Sequence, residues 1–153
     1  MLRALSTIGK AAVEHGRIID RVTLDHTARR RRRLVVRGES GASFLIDLEK
    51  SPALCDGDAL CLEDGTLLHV QAAAEALLEI TADRPLLLLR LAWHIGNRHT
   101  AAEIEAHAIY IAEDHVLAAM ATGLGCDVRP VRRPFQPEAG AYAGAGHHHA
   151  EGP

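Results

Sequence analysis

The hydrophobic pattern of this 153-residue chain changes once, at Ala72-Ala73-Ala74, and the change demands two differently built halves. From Leu2 to about Ala73 the apolar residues come in short runs suited to strands. Arg17 to Leu24 and Arg33 to Arg37 are rich in Val, Ile and Leu, while Phe44, Ile46 and Leu48 alternate with Leu45 and Asp47. Gly38-Glu39-Ser40-Gly41, Asp56-Gly57-Asp58 and Glu63-Asp64-Gly65-Thr66 break these runs with residues that tolerate turn geometry. Ala59 to Leu62 and Thr66 to Val70 flank the last break and read as a hairpin.

After the alanines the order is different. Glu75 to Ile80 reads as a strand, and Pro85 to Ile95 as a helix with Pro in its first turn and Gly96-Asn97 at its end. Glu103 to Ala106 and Ile109 to Ile111 read as two short strands. Asp114 is placed to cap a second helix from His115 to about Thr122, closed by Gly123 and Gly125, and Asp127 to Val131 reads as a last strand. Strand, helix, strand, strand, helix, strand is the ferredoxin-like order. The expected class is therefore α+β, with a small all-β domain over 1–73 and a ferredoxin-like βαββαβ domain over 74–136. A disordered, His-containing tail is expected over 137–153, where Ala, Gly, Glu and His cannot build a core.

Composition removes several function classes. A formal net charge of -3 argues against a surface made throughout for nucleic acid. Aromatic residues make up only 3% of the chain, so its cores must be layers of small aliphatic side chains. Cys55, Cys61 and Cys126 are odd in number, lack Cys-x-x-Cys spacing, and read as reduced, buried residues of a cytoplasmic protein. The first ten residues carry charge and are too poor in apolar residues for a signal peptide, and the longest apolar run, Pro85 to Leu89, is far short of a membrane span. Arg29 to Arg33 form a basic run that reads either as a solvated turn guarding a sheet edge or as a patch for nucleic acid or an acidic partner. No His-Glu-x-x-His, Gly-x-Ser-x-Gly or phosphate-loop motif is present, so a metal-dependent hydrolase has no base behind it.

Histidine is the one clear excess. Seven of the ten histidines are at or after position 94: His94, His99, His107, His115, His147, His148 and His149. Separated groups of imidazole without paired cysteines suit a divalent transition metal. His99 follows the first helix end, where it is either an ordinary solvated side chain or a ligand completed by its own copy across a two-fold axis. Glu113 and His115 flank the cap residue Asp114 and point the same way if the lead-in is extended. His115 thus reads equally as an ordinary helix-start residue and as a ligand. His147, His148 and His149 sit in a segment able to reach over an interface. Trp93 and His94 read as packing residues, and His15, His26, His69 and His107 as ordinary.

Trp93-His94-Ile95-Gly96-Asn97-Arg98-His99, Asp114-His115-Val116-Leu117, Gly123-Leu124-Gly125 and Pro134-Phe135-Gln136-Pro137-Glu138-Ala139-Gly140-Ala141-Tyr142, in this order before a His-bearing tail, resemble the urease accessory nickel chaperone, the UreE family. The resemblance implies a homodimer joined through the C-terminal domains, with His99 of each subunit holding one Ni(II) at the two-fold axis and Zn(II) or Cu(II) as competitors for the same sites. It implies an N-terminal domain similar to a chaperone peptide-binding module, with the urease accessory GTPase and apo-urease as partners and neither nucleic acid nor membrane among them. Some members have a further histidine where this chain has Glu113, so a second site at Glu113 and His115 would differ in ligand type. The short tail implies a delivery role for His147, His148 and His149.

Overall fold

A computed structural model describes residues 1–140; the expected tail, with His147, His148 and His149, falls almost wholly outside the described residues. The chain divides into two compact units, Met1–Ala74 and the part from Glu75 onward.

The first unit is built from β1 (Leu2–Ile8), β2 (Ile18–Leu24), β3 (Arg33–Arg37), β4 (Ser43–Asp47), β5 (Ala59–Leu62) and β6 (Leu67–Ala72). They form one six-stranded sheet in the order β2-β6-β5-β1-β4-β3. The hairpin β5-β6 forms as its turn residues require, and β1 runs parallel to β4 and antiparallel to β5. No individual strand was expected in β1, yet it lies inside the sheet. Its alternation is weak because Leu5 is exposed while Ala4, the small residue, is fully buried. The inward set Val22, Leu24, Val36, Phe44, Ile46, Leu60, Leu62, Leu68 and Val70 makes the core at the two-residue spacing of strands. Gly38 closes on β2 so tightly that a β-carbon there would collide with the Asp20 carboxylate. Ser40 holds that same carboxylate through its hydroxyl and backbone N–H. Burial acts against ionisation of Asp20, but these hydrogen bonds outweigh it and keep the carboxyl below its ordinary range.

The second unit contains β7 (Ala74–Thr81), α1 (Pro85–Asn97), β8 (Glu103–Ile104), β9 (Ile109–Ala112), α2 (His115–Gly123) and β10 (Asp127–Pro134). Its four-stranded sheet has the order β10-β7-β9-β8, with β7 and β8 antiparallel to β9. Leu91, Ile95, Leu117 and Ala121 from the helices pack with Leu78, Ile80, Ile109 and Ile111 from the strands. β8 is shorter than expected because the chain turns at Glu105, whose N–H donates to the Ala108 carbonyl at 2.9 Å.

A second, smaller cluster joins Leu77, Ala108, Tyr110 and Phe135. The Tyr110 hydroxyl donates to Glu79 at 2.9 Å, and Arg133 lies 3.9 Å over the Tyr110 ring while pairing with Glu103 and Glu105 at 3.0 Å. The Tyr110 hydrogen bond, helped by Arg129, holds the Glu79 carboxyl below its ordinary range; burial pushes that of Glu103 up against the pull of Arg133. Beyond the expected start of the tail at 137, the Glu138 N–H donates to the Ala102 carbonyl at 2.7 Å. The Gln136 N–H likewise donates to the Glu103 carboxylate, so the chain beyond β10 folds back toward β8.

Phe135, just past the last strand, is fully buried. Phe135→Ala should destabilise the second unit by about 3–5 kcal/mol, read from a urea titration of the metal-free protein. An unchanged midpoint would show that the post-strand segment is not part of the core.

Candidate metal centre

Pro85 opens α1 at its first position, where a missing N–H costs no hydrogen bond. The helix turns Leu91 and Ile95 into the core. On the opposite side Leu86, Leu89 and Trp93 are 52%, 68% and 65% exposed, an apolar stripe with spacings of three and four residues. Trp93 meets the His94 ring edge to face, with centroids 5.0 Å apart.

At the end of α1 the His99 N–H donates to Gly96 O at 3.1 Å and the Thr100 N–H to Ile95 O at 3.4 Å. This pair of bonds requires a left-handed residue just past the helix. α2 ends the same way: the Gly125 N–H donates to Thr122 O and the Cys126 N–H to Ala121 O, both at 3.0 Å. There the left-handed residue is Gly125, with φ of 96°. In α1 it is His99, with φ of 53°, the one non-glycine residue at positive φ among the described residues. A residue with a β-carbon gives up roughly 1–2 kcal/mol in that conformation. His99 is exposed, so burial returns nothing for the strain. What the position does supply is a solvent-facing imidazole at the negative end of the α1 dipole, a setting favourable to a cation.

At the second candidate group the expected Asp114 cap forms. Asp114 is extended, and its Oδ1 accepts from the Val116 and Leu117 N–H groups at 2.9 and 3.0 Å. Glu113 and His115 line one open pocket of about 340 Å³ with Leu78, Asp114 and Ala118. His99 is not among its lining residues, and among the described residues no three His, Cys, Asp or Glu side chains gather into a set able to hold a metal. Among the described residues of one copy, then, the candidate ligands stay divided between the end of α1 and the start of α2.

Three further placements differ from the sequence reading. Arg29 is buried, its guanidinium donating to the Leu54 carbonyl at 3.2 Å, which takes it out of any basic patch. Of the three cysteines read as buried, Cys126 is buried and Cys61 half-buried, but Cys55 is exposed because it lies in the turn that Asp58 holds through the Cys55 N–H. His15 and His69, each read as ordinary, lie with ring centroids 6.5 Å apart. Their separation of 54 positions hides this, since only the pairing of β2 with β6 brings them together. Arg21 donates to His69 Nδ1 at 3.4 Å.

Residues 2–73 match the family described as UreE urease accessory protein, N-terminal domain, and residues 75–152 match its C-terminal domain. A urease accessory protein UreE of Azorhizobium caulinodans is 52% identical over 148 residues, covering 97% of this chain and 71% of the relative. That of Chelativorans sp. is 44% identical over 155 residues, covering 99% and 96%. A third, from Beijerinckia indica, is 43% identical over 149 residues, covering 97% and 86%.

Replacing His99 by Gly removes the imidazole and relaxes the backbone together. His99→Gly should therefore raise the stability of the metal-free protein by about 0.5–1 kcal/mol, whereas Gly125→Ala should lower it by about 1 kcal/mol. Urea midpoints of the two variants check both signs.

Proposed function

Because the chain belongs to the UreE family of urease accessory proteins, we propose that it is a cytoplasmic nickel carrier and assembly factor, not an enzyme. It binds Ni(II) between two copies of itself and hands the ion to apo-urease through the urease accessory GTPase. The observation that carries this reading is His99, an exposed imidazole held in a left-handed backbone at the end of α1.

One imidazole binds nickel weakly. A homodimer whose two-fold axis passes near the ends of the α1 helices would bring two together, and covering the Leu86, Leu89 and Trp93 stripe supplies its driving force. The second unit, read as ferredoxin-like, serves as the rigid support for that interface. Glu113 and His115 make a weaker second site of mixed oxygen and nitrogen donors, its approach fixed by the Asp114 cap. His147, His148 and His149 add ligands from the tail. Zn(II) and Cu(II) compete for the same donors, Cu(II) the more strongly. The first unit, by its likeness to a peptide-binding module, makes the contacts with the activation complex. Histidine donors shared between subunits and water suit a carrier better than a closed thiolate cage, since the ion must leave again.

Calorimetry with Ni(II), alongside light scattering for mass, should give one tightly bound ion per dimer. His99→Ala should abolish that event while leaving the dimer intact, and deletion of the chain after Tyr142 should weaken it only in part. Tight binding by a monomer, or by His99→Ala, would sink the reading. Imidazole must be neutral to ligate, so affinity should fall as pH drops from about 7 to 5.

A further inference from the structure

The six-stranded sheet leaves β3 at one end of its strand order, with β4 as its neighbour on the inner side. The Leu48 N–H donates to Arg32 O and the Gly38 N–H to Ala42 O, both at 2.8 Å, which fixes the phase of the β3-β4 ladder. In antiparallel pairing the bonded positions alternate. Leu34 and Val36 therefore turn their backbone groups to β4, and Arg33, Val35 and Arg37 turn theirs outward. Past Arg37 the chain meets β2, where the Glu39 N–H donates to Arg21 O at 2.9 Å.

The same three residues present their side chains to solvent on one face, with Val35 58% exposed between two arginines. Leu45 stands opposite Val35, and Leu5 on β1 is 46% exposed. Arg30, Arg31 and Arg32 lead into the strand and are exposed as well. Of the nearby acids, Asp47, opposite Arg33, pairs with Arg3 at 2.6 Å and also feels the charges of Arg33 and Arg32, and Glu39 pairs with Arg21 at 3.8 Å.

We infer that the outer edge of β3 is a docking site for an extended acidic segment of a partner protein, which joins the sheet as one more strand. The outward N–H and C=O groups of Arg33, Val35 and Arg37 supply the ladder, Val35 an apolar contact, and the arginines the choice of acidic over basic segments. Like charges on such an edge also discourage a second copy of this chain from pairing there. Nucleic acid fits less well, because the first unit has one aromatic residue, Phe44, and it is buried, leaving no platform for a base. This inference rests on the partner role proposed above for the first unit and is independent of where nickel binds.

The test uses the full chain labelled with nitrogen-15 and two ten-residue peptides, one alternating Glu with Val and Thr, the other with Lys in place of Glu. The acidic peptide should shift the Arg33, Val35 and Arg37 amides and slow their hydrogen exchange; the Lys peptide should not. Val35→Pro removes an outward N–H while sparing the ladder to β4, and should weaken binding at least fivefold. The double variant Arg33→Glu, Arg37→Glu keeps the backbone and should do the same, which covers the case in which the proline disturbs the sheet. No shift at millimolar peptide, shifts confined to other residues, or stronger shifts of the same amides by oligouridylate would each overturn the inference. Nickel stoichiometry measured on the same sample separates failure here from failure of the carrier reading.

Discussion

A left-handed backbone at a residue with a β-carbon is the constraint around which the second unit is arranged. α1 and α2 close with the same two hydrogen bonds, and only α2 uses the residue that fits without strain. Folding alone is served by Gly125; His99 must be held by what surrounds it. The hold comes from Ile95, buried in the core and accepting the Thr100 N–H, so the position of the imidazole is tied to the packing of α1 on the sheet.

The sheet beneath is suited to such a task because neither face is left to chance. One is covered by the helices through an aliphatic cluster; a second cluster carries Phe135 and the Tyr110 ring. Around that ring Glu79, Glu103, Arg129 and Arg133 form pairs that link β7, β8, β9 and β10 side to side. Half-buried pairs of this kind add little as isolated ion pairs, but they set the register of short strands that would otherwise slip. β8, with two residues, depends most on this support.

Much of the architecture was legible in the sequence because it is local. The Asp114 cap, Pro85 at the head of α1, Gly125 after α2 and the β5-β6 turn each depend on a few neighbouring residues, and each lies where those residues direct. What escaped is non-local. β1 has too little contrast between its faces to be read alone and becomes a strand through β4 and β5. The burial of Arg29 depends on Leu54, and the meeting of His15 with His69 on strand pairing. His99 was legible as a residue type in a motif. Its backbone conformation was not, because the helix-end glycine signal at Gly96 sits three positions too early.

The chain has a single tryptophan, and it stands on the exposed stripe of α1 in edge contact with His94. Any surface that covers this stripe must move the indole from water into an apolar setting. The protein thus carries its own optical gauge of association: emission colour reports how dry the stripe has become. No dye is needed to follow assembly in real time.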